Sequence, residues 1–295
     1  MRGDEQMRLR RSMLFMPGNN PGMLQNAGIL GADSIILDLE DAVSLTEKDS
    51  ARILVRNAIK NVDYGKVELV VRINPLTTNF GYEDLKEIAR VKPDSIMVPK
   101  AAEDDIKEVD EILSKIEAVE DFEKGSIKLI PLVETAYGVE NVYNIIKASQ
   151  RVNGILLGAE DLTNDFGIKR TKEGEEIFYS RCRVSTACRA ARVDAIDTPF
   201  TDLNDEDAFI KDITKAKSIG MTGKAAINPR QIDTIHKVFT PTAAEIEHAR
   251  RVMEAQDAAK REGKGVFSLD GKMVDAPVIA RAKYTLDLAS IAGLI

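Results

Sequence analysis

Eight short apolar runs most constrain what this chain can become. They fall at residues 12–16, 34–39, 67–73, 95–98, 128–133, 154–157, 194–197 and 223–227. Their spacing is roughly 20 to 40 residues, the length of a strand–helix unit. The run at 129–133 is apolar on both strand faces, as in a parallel sheet covered by helices. Helical stripes lie between the runs. Ile106, Val109, Ile112, Leu113 and Ile116 form one; Val139, Val142, Ile145 and Ile146 a second; Phe209, Ile210, Ile213 and Ala216 a third. Eight strands alternating with helices close most economically as an α/β fold of the (β/α)8 TIM-barrel type. An open doubly wound sheet would carry a glycine-rich turn after its first strand, and none stands there.

The sequence divides into a tail at 1–11, the barrel at 12–240 and a C-terminal extension at 241–295. In the extension, Thr242 and Glu245 read as a capping box opening a long helix to about Arg261, which Gly263 is placed to stop. Asp270-Gly271 signals a hairpin, and a last helix runs over about 277–290. This helix–hairpin–helix is too short for a domain of its own; it is suited to covering the barrel or a neighbouring subunit. The net charge of −7 argues against a nucleic-acid or anionic-membrane surface, and no run of 18 apolar residues exists to span a bilayer. The start, MRGDEQMRLRR, lacks the apolar stretch of a signal peptide. Cys182 and Cys188, both inside one expected helix, read as reduced thiols of a cytoplasmic protein.

In a barrel, chemistry sits at the carboxyl ends of the strands. Nearly every run ends on a charged or amide side chain: Asp38 and Glu40, Arg72 and Asn74, Lys100, Glu134, Glu160 and Asp161, Asp197, Asn228. Glu134 follows a fully apolar run, and an acid so close to a core must be paired, hydrated or bound to metal. The next run delivers Asp161 in the same way. Two acids on neighbouring strands suggest one shared site for a hard cation such as Mg²⁺, with a salt bridge to a barrel cation as the alternative for Glu134. Both histidines, His236 and His248, lie in the C-terminal region, which disfavours a zinc site or a Ser-His-Asp triad. Arg72 offers a planar fork for a substrate carboxylate or enolate, or pairs with Asp38 or Glu40; the two roles are compatible. Asp38 and Glu40 share the strand face opposite Leu37 and Leu39, suited to orienting a ligand or supporting the metal. Pro17 and Gly18 open a turn whose backbone amides suit a phosphate or thioester arm, though on composition alone a turn is the better reading. Lys224 is placed to reach a substrate anion or to make a rim salt bridge. Lys100 is the one candidate for a Schiff-base lysine.

At RRSMLFMPGNN, LDLEDAV, EKDSAR, VVRINP, PLVETAYGV, LLGAEDL, GKAAINPRQID and EGKGVFSLDGKMVDAPVIARA the sequence resembles the family of citryl-CoA, malyl-CoA and citramalyl-CoA lyases, in its citrate lyase β-subunit branch. The match is ordered and covers roughly residues 10–282, and the motifs are specific together rather than singly. The resemblance implies a barrel that forms a homotrimer, with Mg²⁺ on Glu134 and Asp161 and with Arg72 on the substrate carboxylate or enolate oxygen. It implies that Asp275 serves the active site of the neighbouring subunit as a proton-transfer group; the residues alone show only a hairpin there. Arg72, Asp275 and Glu40 are then the catalytic candidates, and Pro17, Gly18, Asp38, Glu134 and Lys224 the remaining substrate-binding ones. The implied reaction is retro-Claisen cleavage of a citryl thioester to oxaloacetate and the acetyl thioester. The implied partners are an α subunit and an acyl carrier protein that bears the thioester. A stand-alone malyl-CoA or citramalyl-CoA lyase is the close alternative. A non-catalytic scaffold subunit is the distant one; Arg72, Glu134, Asp161 and Asp275 are all intact, which argues against it.

Overall fold

The computed structural model describes residues 8–261 and 265–295. Eight parallel strands close a barrel: β1 (Ser12–Pro17), β2 (Ser34–Asp38), β3 (Glu68–Arg72), β4 (Ser95–Val98), β5 (Lys128–Val133), β6 (Gly154–Leu157), β7 (Asp194–Asp197) and β8 (Gly223–Ala226). Each pairs with the next in sequence, and β8 returns to β1. All eight apolar runs become strands, and helices connect them as the spacing requires.

The barrel interior is layered by the period-two alternation of strand side chains. Its middle is apolar: Met13, Ile36, Val70, Met97, Ile130, Leu156, Ile196 and Ala225. Two residues earlier on β2, β3 and β4 stand Ser34, Glu68 and Ser95, all buried, at the amino-terminal floor. The buried Arg10 enters that floor. Its Nε and Nη2 donate to the two Glu68 oxygens at 2.8 and 2.6 Å, and its Nη1 reaches Asp194 at 2.7 Å. Glycine is required beside it: a Cβ on Gly223 would lie 2.0 Å from the Arg10 carbonyl oxygen. Two residues after the middle layer the same strands present Asp38 and Arg72, which places them at the mouth.

The outer strand face packs on the helices. Val139, Val142, Ile145 and Ile146 of helix Ala136–Lys147 are all buried, as their stripe requires. In helix Glu206–Ser218, Phe209, Ile213 and Ala216 are buried but Ile210 is 37% exposed, so that stripe is narrower than its pattern suggests. Both cysteines lie in helix Phe178–Ala191 and carry free thiols; burial pushes that of Cys188 far up, so it stays protonated. His236 sits at the amino end of the barrel, 2.7 Å from the Ser12 hydroxyl.

The barrel unit comprises Arg10–His236, and a second compact unit contains Lys237–Ile295. In the second, helix Ala243–Arg261 opens on the reciprocal box between Thr242 and Glu245. Gly263, expected to stop that helix, lies outside the described residues. Strands β9 (Phe267–Leu269) and β10 (Lys272–Val274) form the hairpin, and Asp270 and Gly271 both adopt positive φ, as its two-residue turn demands. Asp275 caps helix Ala276–Ile291 by accepting from the Val278 amide at 3.3 Å. Ala249, Val252, Val274 and Ala282 form the core of this unit. No described helix is long and apolar enough to cross a membrane.

Candidate active site

The mouth is built from the carboxyl ends of β2, β3, β4 and β5 and from the helix after β6. Arg72, at the end of β3, pairs in a fork with Asp38 beside it on β2, Nε to Oδ1 at 2.7 Å and Nη2 to Oδ2 at 2.6 Å. Its remaining nitrogen, Nη1, faces Glu40 at 3.0 Å and Asp41 at 3.1 Å, and the guanidinium lies 5.0 Å from the centre of the Phe15 ring. Burial opposes the Arg72 charge, but its hydrogen bond to Asp38 and the surrounding carboxylates outweigh burial and keep it protonated. The internal pairing expected for Arg72 is therefore present, and Nη1 is the edge turned toward the exposed Asp41.

Asp38 has no capacity left for a substrate. It is 1% exposed, and it accepts from the Glu40 and Ala42 amides as well as twice from Arg72. This corrects its reading as a ligand group: Asp38 orients the arginine. Lys48, which the residue patterns had not singled out, donates to the Leu39 and Glu40 carbonyls at 2.8 and 2.6 Å and so fixes the turn that carries Glu40. Its only sequence signal was its place in EKDSAR.

Glu134 is nearly buried at the end of β5, and its Oε1 accepts from the Lys100 amide at 2.8 Å. Lys100 holds φ at 48°, a conformation uncommon outside glycine, which turns its amide toward Glu134. Its ammonium reaches Asp161 at 2.5 Å and lies 3.8 Å from Glu40. Burial opposes its charge, but the hydrogen bond to Asp161 and the charges of Glu134 and Glu40 raise its pKa overall. In this setting Lys100 is an ion-pair partner of Asp161 and Glu40. Burial lifts Glu134 to about 8, with the Glu40 charge adding to it. Burial likewise lifts Glu40 to about 7 against the pull of Arg72. The Glu40 Oε2 atom is buried and, although 3.0 Å from Arg72, accepts no hydrogen bond in proper geometry.

Asp161 is the third residue of helix Ala159–Asp165. The residue before that helix must be glycine: a Cβ on Gly158 would lie 2.7 Å from Glu134 Oε2. Around the mouth, Asp38, Glu40, Asp41, Glu134 and Asp161 share three cations, Arg72, Lys100 and Lys48. The acids outnumber the bases there, and that crowding adds to burial in lifting Glu134 and Glu40. The donors are all oxygens, and Lys100 already draws Glu40 and Asp161 around one positive centre. The set suits a hard cation held by Glu134 and Asp161 with water or substrate completing its shell. Among the described residues no group of three or more His, Cys, Asp or Glu is placed to hold a metal alone.

Two further expectations are corrected. The Gly18 amide is not offered to a ligand, because it donates to the Asp38 carbonyl at 2.8 Å; Pro17 has no amide proton, and its carbonyl accepts from Asn20. Their turn braces β1 against β2. Lys224 is neither a substrate ligand nor a rim residue. It is fully buried on the outer face of β8, bonded to Asp197, Asp212 and the Thr198 carbonyl. Asp275 belongs to the second unit, where its side chain caps helix Ala276–Ile291.

A family model described as HpcH/HpaI aldolase/citrate lyase matches residues 11–229. The chain is 44% identical over 284 residues to the citrate lyase subunit beta of Haemophilus influenzae, covering 96% of this chain and 98% of that one. It is 45% identical to the citrate lyase subunit beta of Leuconostoc mesenteroides subsp. cremoris, at 98% and 96% coverage. The L-malyl-CoA/beta-methylmalyl-CoA lyase of Rhodobacter capsulatus is 34% identical, at 97% and 96% coverage. The crystal structure of CitE from Mycobacterium tuberculosis in complex with magnesium, acetoacetate and coenzyme A superposes with a TM-score of 0.78 at 29% identity, covering 96% of this chain and all of that one. The chain belongs to the HpcH/HpaI aldolase/citrate lyase family, and it is a lyase.

Proposed function

We propose that this chain is the carbon–carbon lyase of a citrate lyase: it cleaves a citryl thioester to oxaloacetate and the acetyl thioester. The observation that carries the reading is the mouth itself, where Arg72, Glu40, Lys100, Glu134 and Asp161 converge in one hydrogen-bonded and ion-paired group. The two relatives at 44% and 45% identity, against 34% for the malyl-CoA lyase, favour the citryl substrate.

Glu134 and Asp161 would hold Mg²⁺, which would supply Lewis-acid polarisation of substrate oxygens. Arg72 presents Nη1 to the anionic oxygen of the substrate, with Asp38 fixing the plane of the guanidinium. Glu40 Oε2, buried and poised near neutrality, takes the proton of the substrate hydroxyl. As that proton leaves, the hydroxyl carbon becomes the ketone of oxaloacetate. The pair of the broken C–C bond passes into the thioester as an enolate, whose charge falls on Arg72. Asp275 of a neighbouring subunit returns a proton to the enolate carbon, completing the acetyl group. The extension at 241–295 delivers that residue across a homotrimer. In the working assembly, a cytoplasmic complex, an α subunit forms the citryl thioester on an acyl carrier protein that docks at this mouth.

The test is a substrate panel: oxaloacetate release from citryl-loaded carrier protein and from citryl-CoA, beside malyl-CoA and citramalyl-CoA cleavage, each with Mg²⁺ and with chelator. Mg²⁺-dependent preference for the citryl thioesters supports the reading. Preference for malyl- or citramalyl-CoA keeps the chemistry and overturns the substrate.

A further inference from the structure

The sequence places Lys224 at the mouth, yet the structure buries it behind the barrel, and what it holds there leads back to the site. Lys224 uses all three of its protons: to Asp197 Oδ2 at 2.6 Å, to Asp212 Oδ2 at 2.7 Å and to the Thr198 carbonyl at 2.7 Å. Arg181 closes the cluster with bonds to both oxygens of Asp197 and to Asp212. Two cations and two carboxylates, all essentially without exposure, make a charge-balanced knot between β7, β8 and two helices. Such a knot is costly to desolvate and is weak evidence for stability in itself. Its one bond to a neutral group goes to Thr198.

Thr198, 1% exposed and just past β7, turns its hydroxyl to the helix that follows the neighbouring strand β6. Its Oγ1 accepts from the Ala159 amide at 3.0 Å. Ala159 is the first residue of helix Ala159–Asp165, whose cap position is Gly158 and therefore lacks a capping side chain. A capping side chain cannot be placed there, because the Glu134 carboxylate fills the space a Cβ would take. That helix end is held from outside: Thr198 accepts the Ala159 amide, one of the first-turn amides that have no partner within the helix itself. Asp161 stands two residues further along the same turn.

We propose that Thr198 is a positioning residue for Asp161: it anchors the first amide of a helix whose cap residue offers no side chain, and Lys224 with its ionic cluster locks Thr198 in place. The inference rests on the reading of Glu134 and Asp161 as a divalent-metal pair. It gives the buried cluster a purpose that packing does not supply. Glu134 and Asp161 come from separate strand–helix units, and the chain Lys224–Thr198–Ala159 fixes the second against the first.

Lys224 is a poor residue to change, since its loss leaves two buried aspartates facing one arginine. The test uses Thr198→Val, which keeps shape and removes the acceptor, and Ala159→Pro, which removes the donor at a helix position that accepts proline. Mn²⁺ binding to the full chain is followed by the resonance of the free ion, beside thermal melts in chelator. Both variants are expected to bind Mn²⁺ about 10- to 100-fold more weakly, the loss typical of an outer-shell partner. Their melting points should stay close to that of the parent, and Thr198→Ser should restore binding. Parental affinity in both variants, while Asp161→Asn loses the ion, overturns the proposal and leaves the metal site standing. Parental affinity in Asp161→Asn overturns the metal-site reading and the proposal with it.

Discussion

Each end of the barrel holds an arginine forked onto a carboxylate, and the two ends use that pair differently. At the floor, the Arg10 fork closes on Glu68, which also accepts from Ser34 at 2.5 Å and Ser95 at 3.2 Å. At the mouth, the Arg72 fork closes on Asp38, but Glu40, Asp41, Glu134 and Asp161 stand around it with fewer cations than carboxylates. Both Glu68 oxygens are taken up, so the floor pair is satisfied. At the mouth the buried Glu40 Oε2 atom accepts no hydrogen bond, which leaves an acceptor for the chemistry. The floor-side carboxylate Glu117 teaches the same lesson. Burial would raise it, but Arg151 and the Gly125 and Ile127 amides pull it down to about 2, whereas burial and like charge at the mouth lift Glu40 and Glu134 to about 7 and about 8. Satisfied carboxylates fall and crowded ones rise.

The sharpest way to break this comparison is to change one residue at each end. Glu134→Gln should remove Mg²⁺-dependent turnover by more than the about 100-fold that an outer-shell loss costs, with the melting point in chelator preserved. Arg72→Lys keeps charge and loses the fork; steady-state kinetics should show kcat/KM lower by about 10²- to 10³-fold, the loss expected when one donor to a developing anion is misplaced. Arg10→Met at the floor should do the reverse. Leaving Glu68 buried without its partner costs about 3–5 kcal/mol in denaturant melts, while activity per folded molecule holds. A floor variant that lost activity without losing stability would erase the distinction. The smallest effect belongs to pH. Because the folded pKa of Glu117 is depressed, its contribution to stability is present above the unfolded value of 4.5 and is lost as pH falls toward about 2. Glu117→Gln should flatten that part of the stability profile in melts taken across acid pH.

Much of this was legible before any coordinates. Parallel strands buried on both faces read as unbroken apolar runs, so all eight strands stood out, and the acids ending them pointed to the mouth. The register of a short strand was harder to read. In β8, GKAA, only small side chains mark the faces, so nothing in the run says that Ala225 points in and Lys224 out. Its partners Asp197 and Asp212 lie on other elements, 27 and 12 residues away. Arg10 read as tail because its partner Glu68 is 58 residues distant. Thr198 carries no pattern at all; it meets the Ala159 amide of another strand–helix unit, 39 residues away. Local patterns announce what a strand end carries. They do not announce which neighbour has already claimed it, as the saturated Asp38 and Gly18 show.

The most direct measurement is oxaloacetate release from citryl-CoA and citryl-loaded carrier protein during a Mg²⁺ titration, with the parent chain and Glu134→Gln side by side. The account expects turnover in the parent that rises with Mg²⁺ and vanishes in chelator, and a flat trace for the variant at every Mg²⁺ concentration. Equal turnover by the two proteins, or turnover in the parent indifferent to chelator, would contradict it.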